Sequence, residues 1–209
     1  SKKNKSTDDF YLGGRKLGPF VTAMSAEASD MSSWLLMGLP GVAYLTGIAD
    51  AGWTAIGLGI GTYLNWLIVA QRLRRYSIIC NAITIPDFFS RRFKDDKNIL
   101  MCISAIIILI FFIPYTVMSI SLIVIVFYGI HMAGGWNEVV NNATSLAGYL
   151  SMTQLHDRAA ASAAPYSLFS IISTLAWGLG YFGMPHILLR FMAIEDDTKL
   201  KTSRRIATV

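Results

Sequence analysis

The chain has 209 residues, of which 54% are hydrophobic and 15% charged, and its mean hydropathy is +0.48. This balance lies outside that of soluble globular domains and favours a protein whose solvent is lipid. The formal net charge of +5 lies in segments where aromatic and basic residues do not interleave, which argues against a nucleic-acid-binding surface.

Four apolar stretches are long enough to cross a bilayer, which takes roughly 20 residues of helix. They cover about residues 20–44, 53–70, 99–130 and 166–189. The predicted fold class is therefore an all-α integral membrane protein with about four transmembrane helices, in a single domain over residues 1–209. The polar start, without an initiator Met, predicts that the chain begins within a longer protein.

Basic residues cluster before the first predicted span, between the second and third, and after the fourth, with Arg158 as the exception. The positive-inside rule makes these three segments cytoplasmic, so both ends face the inside of a bacterial-type plasma membrane. Cys80 and Cys102 then face a reducing compartment, which argues against a disulfide. No cluster of His, Cys or acidic residues has the spacing of a metal site.

The loops differ in their expected structure. Residues 84–93 (TIPDFFSRRF) predict a short amphipathic helix with Pro86 in its first turn, which anchors the cytoplasmic loop at the membrane surface. A direct role of this helix in a substrate path is the alternative. The outer loop, residues 131–165, predicts a solvated linker with one short helix.

The third predicted span is longer than one crossing requires. Its apolar run of about 32 residues exceeds the roughly 20 that a helix needs. Either the helix is tilted, or two half-spans are joined and the residues between them are missing, within 115–130.

Polar residues inside a span are costly and therefore mark candidate sites. The run SAEASDMSSW, residues 25–34, places Glu27, Asp30 and several hydroxyls in the first span, followed by Gly38, Pro40 and Gly41. This pattern predicts a helix that opens within the membrane and exposes carbonyl oxygens to a cation. Alternatively, the serines bond back to the helix and allow close packing, which leaves Asp30 unexplained.

The second candidate is the run AWGLGYFGMPH, residues 176–186, in the fourth span. Three glycines and a proline disfavour a regular helix. The backbone is therefore predicted to be irregular, so that Trp177, Tyr181 and Phe182 can present aromatic faces to a small organic ligand. The alternative is that the glycines only allow close helix packing.

Three runs carry a resemblance to a known family: DDFYLGGR (8–15), SDMSSWLLMGLPG (29–41) and WGLGYFGMPHILLRFMA (177–193). They look like the solute:sodium symporter family, most closely its sodium/proline branch, and the resemblance covers most of residues 8–115 and 166–209. It implies part of a five-plus-five inverted-repeat (LeuT-like) bundle with broken helices. It also implies import of a small amino acid, L-proline, driven by a sodium gradient through alternating access. No enzyme activity is implied, and no cofactor apart from sodium as the co-transported ion.

The resemblance also implies roles for individual residues. Those that match the sodium region are Ala28, Asp30, Met31 and Ser32, with Ala28 and Met31 offering backbone carbonyls as a partial Na⁺ site. Those that match the substrate pocket are Trp34, Trp177, Tyr181 and Pro185. Arg15 matches a basic residue at the cytoplasmic end of the first span that assists turnover.

The sequence departs from the family pattern in several places. Met184 stands where Gln is frequent, and Glu27 where a small residue is usual. The family has an upstream helix, two further helices between the third and fourth segments, and a remainder that supplies other sodium ligands. The alternatives are a symporter-like membrane sensor domain, a nonfunctional truncated transporter, or a transporter of pantothenate or another small solute.

Overall fold

A computed structural model describes residues 7–30 and 34–208, with the backbone alone for Asp8, Leu36 and residues 114–127. The helices are α1 (Thr7–Leu12), α2 (Pro19–Asp30), α3 (Leu39–Thr46), α4 (Ile48–Ile79), α5 (Ile85–Arg92), α6 (Ile99–Met132), α7 (Trp136–Ser145), α8 (Leu168–Leu175), α9 (Pro185–Ala193) and α10 (Leu200–Ala207). Turns of 3₁₀ geometry cover Gly13–Arg15, Ala176–Gly183 and Asp197–Lys199, and a π-helical turn covers Trp34–Gly38. Strands β1 (Gln154–Asp157) and β2 (Ser162–Pro165) form an antiparallel hairpin.

Within the described ranges, α4 is the one helix that is long and apolar enough to span a bilayer by itself. Leu168–Gly183 and Pro185–Ala193 qualify together as one span bent by 50°. The α6 backbone is helical for 34 residues, and its apolar part with described side chains is Ile99–Ile113. The expectation of about four spans stays a prediction.

Helix α4 is longer at both ends than the predicted span of residues 53–70. It begins at Ile48, changes to π geometry over Trp66–Ala70, and continues to Ile79. The extension is stabilised because its buried Arg74 donates to the carbonyl of Glu195, at 3.1 Å. The sequence predicts that Arg74 lies in a loop, whereas in the structure it lies in α4 and stabilises the extension of this helix.

The short helix predicted within residues 84–93 is confirmed as α5. The Thr84 hydroxyl accepts from the Asp87 amide at 3.3 Å, and Pro86 lies in the first turn. Asp87 in turn accepts from the Ile83 amide at 2.9 Å and pairs with Arg91 at 2.6 Å. These contacts satisfy the amides that a helix start leaves without partners.

The prediction for residues 131–165 is right about one short helix, α7, and wrong in treating the rest as linker. The β1–β2 hairpin pairs Gln154 with Pro165 and Asp157 with Ser162. It escaped prediction because its sequence is rich in Ala rather than β-branched residues. Contacts outside the strands support it: the His156 ring bonds the Ala147 carbonyl at 2.9 Å.

The chain divides into two compact units. The first comprises residues 1–31, 60–112 and 180–209, and the second comprises 32–59 and 113–179. In the first unit α2 packs against α9 and α10, and the Phe191 ring lies 4.5 Å from that of Trp66, centroid to centroid. In the second unit, the Trp53 indole donates to the Met152 carbonyl at 2.8 Å and the Ile48 amide to that of Tyr149 at 2.7 Å. These two hydrogen bonds attach the residues just before the hairpin to the start of α4.

Candidate functional site

The polar run of the first predicted span lies at the end of α2. Asp30 is the last residue of this helix and is buried, whereas Ala28 is exposed. Met31 and Ser32, the other two predicted sodium residues, lie outside the described residues. After them the backbone adopts π geometry over Trp34–Gly38, so the segment is not one regular α-helix.

The first unit brings together Asp30, a predicted sodium residue, and Tyr181, a predicted substrate residue. The Tyr181 hydroxyl donates to Asp30 Oδ2 at 2.5 Å, and the tyrosine is only 3% exposed. A hydrogen bond to an ionised acceptor is about twice as strong as a neutral one. While this bond is made, the Tyr181 hydroxyl hydrogen is used by Asp30, and the buried carboxylate of Asp30 has a hydrogen-bond donor in an apolar environment.

The irregular backbone predicted for the fourth span is confirmed. A 3₁₀ turn covers Ala176–Gly183, and the helix bends by 50° before Pro185. Pro185 has no amide hydrogen to offer the Tyr181 carbonyl four residues earlier. The Tyr181 carbonyl instead accepts from the Met184 amide at 3.4 Å and from the Nδ2 of the buried Asn65 at 2.9 Å. A side chain of α4 thus adds the shorter of the two hydrogen bonds to a carbonyl that Pro185 cannot reach.

The second unit brings together the two predicted tryptophans of the substrate pocket. The Trp34 and Trp177 rings stack with their centroids 5.0 Å apart and their planes 8° apart. They remain 39% and 49% exposed, so part of each aromatic surface is available to a ligand. Gly38 allows this packing, because a Cβ at that position would collide with the Trp34 ring.

Pro185 lines an apolar cavity of about 460 Å³ within the first unit. The cavity is also lined by His186 and Phe112, whose rings lie 5.1 Å apart, centroid to centroid. Its walls are almost entirely apolar, which suits a hydrocarbon chain better than a zwitterionic ligand. Pro185 also begins the helix that follows the 50° bend, and its role in substrate binding stays a prediction.

Arg15 joins the N-terminal segment to the end of α4. Its guanidinium donates to the Ala82 carbonyl at 2.6 Å and to the Ser77 hydroxyl at 3.3 Å. Its backbone has a φ of 56°, in the left-handed region, directly after Gly13 and Gly14, which lie there as well. These contacts fix how α2 begins, which is consistent with the predicted role in turnover without testing it.

Sequence reasoning missed Thr62, Asn65 and Trp66 of α4. With Glu27, Asp30 and Tyr181 they line a small enclosed cavity of about 10 Å³ in the first unit. The sequence offers one signal for Asn65, because a side-chain amide within an apolar span is costly to bury and therefore marks a candidate site. Thr62 and Asn65 are three residues apart and so lie on one face of the helix.

Comparison with known proteins places these features in a family. The sequence profile of the sodium:solute symporter family matches residues 10–120 and 112–209. The osmoregulated proline transporter OpuE of Bacillus subtilis (strain 168) is 40% identical over 248 positions, which include 98% of this chain and 50% of the relative. The sodium/proline symporter of Escherichia coli (strain K12) is 38% identical, with 99% and 49% covered. That of Staphylococcus aureus (strain USA300) is 38% identical, with 95% and 47% covered.

The chain belongs to the sodium:solute symporter family. It spans about half the length of the curated relatives that it matches. No solved structure matches the chain. The resemblance read from the three sequence runs is thereby confirmed at the level of the family.

Proposed function

We propose that the chain forms part of a sodium-coupled symporter that imports L-proline by alternating access. The observation that carries the proposal is the similarity along 95–99% of the chain to relatives named sodium/proline symporter. The buried Asp30–Tyr181 contact and the bent fourth segment support it. Broken helices with ionisable groups at mid-membrane are the usual binding elements of secondary transporters.

The Asp30–Tyr181 hydrogen bond provides a physical basis for coupling. A sodium ion near α2 attracts the negative charge of the Asp30 carboxylate and so weakens its hydrogen bond from the Tyr181 hydroxyl. Sodium binding therefore releases the Tyr181 hydroxyl for an incoming substrate. Coupling between two ligands is reciprocal, so sodium raises proline affinity and proline raises sodium affinity by the same factor.

A missing segment between the third and fourth spans is part of the proposal. The alignment with the Bacillus relative extends over 248 positions although the chain has 209 residues, so the relative carries residues without counterparts here. The two family matches overlap at residues 112–120, inside α6. Loss of a helical hairpin at this point keeps four spans with both ends cytoplasmic, because a hairpin crosses the bilayer twice.

Uptake by the full-length gene product in proteoliposomes tests the function. We expect an inward sodium gradient to drive accumulation of radiolabelled L-proline, and unlabelled proline to compete better than pantothenate or glucose. Asp30→Asn should weaken the sodium dependence, whereas Asp96→Asn, the same change in an exposed loop, should not. Equal uptake in sodium and choline media would reject sodium coupling.

The orientation has its own test in the free cysteines. Cys80 and Cys102 are both unpaired thiols and lie on the predicted cytoplasmic side. We expect a membrane-impermeant maleimide to label Cys80 in inverted vesicles and not in intact cells. Labelling in intact cells would reverse the proposed topology.

A further inference from the structure

The cavity of about 10 Å³ in the first unit has an unusual chemical lining. It has room for about one water-sized particle. Two carboxylates, from Glu27 and Asp30, and an amide, from Asn65, contribute to its walls. Ala28, whose carbonyl belongs to the sodium site implied by family resemblance, is not among the lining residues.

Two buried oxygen atoms of this lining accept no hydrogen bond within the described part of the chain. They are Asp30 Oδ1 and Asn65 Oδ1. Asn65 is 1% exposed and Asp30 9%, so bulk water does not compensate either atom. A buried acceptor without a donor is destabilising, and more so when it is charged.

The orientation of both groups is fixed by their other atoms. Asn65 Nδ2 donates to the Tyr181 carbonyl, so Oδ1 is the end of the amide that is left to face another partner. Asp30 Oδ2 accepts from the Tyr181 hydroxyl, which leaves Oδ1 as the second acceptor. Tyr181 therefore holds both oxygens in place through separate hydrogen bonds.

Glu27 adds a second negative charge to the same lining. It precedes Asp30 by three residues on α2, which puts the two side chains on one helix face. The nearby cation Arg190 donates to the Ser29 hydroxyl at 3.4 Å and does not line the cavity. Trp66 bonds the Glu27 carboxylate and Tyr181 donates to Asp30 Oδ2, which leaves Asp30 Oδ1 and Asn65 Oδ1 as the oxygens that a cation satisfies at once.

We propose that Glu27, Asp30 and Asn65 bind one Na⁺ ion in this cavity, whose lining does not include Ala28. Carboxylate and amide oxygens are the ligands that hard cations prefer. Ca²⁺ takes 6–8 oxygen ligands, which is more than these three side chains offer while Asp30 Oδ2 accepts from Tyr181. The site rests on the proposed sodium coupling and adds to it a second ion per transport cycle.

Glu27 is the residue that distinguishes this site. The family resemblance places a small residue at that position, so the second carboxylate belongs to this chain in particular. Replacement by Ala is therefore expected to be compatible with folding, and replacement by Gln keeps the side-chain shape while removing the charge. Glu138→Gln, at an exposed position of α7, is the matched control.

Binding of ²²Na⁺ to the purified full-length protein, without substrate, tests the proposal. We expect the wild type and Glu138→Gln to bind one more Na⁺ per protein than Glu27→Gln and Glu27→Ala. In the titration, this loss appears as a Na⁺ affinity that is at least about tenfold weaker at one site. Removing a side chain that contacts the ion is expected to weaken binding more than removing a residue that only orients such a side chain. Thermal unfolding and size-exclusion chromatography confirm that each variant is folded.

The outcomes separate this proposal from the proposed function. Unchanged sodium stoichiometry and affinity in both Glu27 variants would overturn the second site, even if the wild type transports proline with sodium. A wild type that shows no sodium-driven uptake would reject the function, whereas loss of one bound ion in the variants would still support the site. If Glu27→Gln does not fold, the Glu27→Ala measurement decides alone.

Discussion

Helix α6 and the segment from Leu168 to Ala193 are both apolar, yet their backbones behave differently. Helix α6 remains helical for 34 residues and passes through Pro114 without a break. The other segment changes to 3₁₀ geometry over Ala176–Gly183 and bends by 50°. A proline alone therefore does not interrupt a helix here; three glycines followed by a proline, with a polar side chain to satisfy the released carbonyl, do so.

The two regions also differ in what their side chains contact. The described part of α6 carries exposed apolar residues such as Leu109 and Phe111. Residues of the bent segment instead contact Asp30, Asn65 and Trp34. Irregular backbone is tolerated at membrane depth where it is covered by protein, whereas a lipid-facing helix must satisfy its own backbone.

The largest effect is expected from Tyr181→Phe. The change removes the hydroxyl that donates to Asp30 Oδ2 and leaves a buried carboxylate with one donor fewer. We expect a loss of about 1.5–3 kcal/mol in the free energy of unfolding, the range for hydrogen bonds to charged groups. We also expect weaker sodium stimulation of uptake. Thermal unfolding and proteoliposome uptake measure the two effects.

The matched control for this variant is Tyr128→Phe. Tyr128 lies on α6 and is 63% exposed, so the same chemical change is expected to have little effect there. Equal losses in the two variants would contradict the distinction between a buried polar contact and a lipid-facing helix.

A smaller effect is expected from Gly57→Ala, which tests how closely the bent segment packs on α4. A Cβ at this position would lie 2.5 Å from the Leu175 carbonyl oxygen and 2.7 Å from its Cα. Because both are backbone atoms, the helices must separate, at a cost of about 1–3 kcal/mol. Gly59→Ala, in the same helix with no atom within 4 Å, is the control. Unfolding curves that coincide for the two variants would show that the contact is not close in solution.

The smallest effect on stability is expected when Gly180 and Gly183 are both replaced by Ala. Neither added methyl would meet an atom within 4 Å, so the change acts through backbone preference alone. Ala favours regular helix over Gly by up to about 1 kcal/mol per residue. We expect unchanged or slightly higher thermal stability together with a lower maximal uptake rate, because a straighter segment populates the bent state less. An unchanged uptake rate would show that the glycines do not control the bend.

The sequence predicts these regions unequally, for physical reasons. Asp30 and the irregular fourth segment are predictable because a charge or a glycine cluster within an apolar run is locally expensive. The hydrogen bond from Asn65 to the Tyr181 carbonyl cannot be predicted from local sequence, because it depends on how α4 packs in the folded unit. The β1–β2 hairpin was missed because bonds from elsewhere in its unit, rather than strand propensity, support it.

The hairpin region is fastened to α4 through main-chain oxygens, those of Tyr149 and Met152. In the turn between its strands, Arg158 donates to the Tyr44 carbonyl at 3.4 Å, whereas Ala159 and Ala160 are exposed and open to change. The turn around Ala159 and Ala160, whose amides bond Asp157 Oδ1, provides a place to insert an epitope or a fluorophore. Such a label would report on the movement of this surface during transport without touching the ion-binding residues.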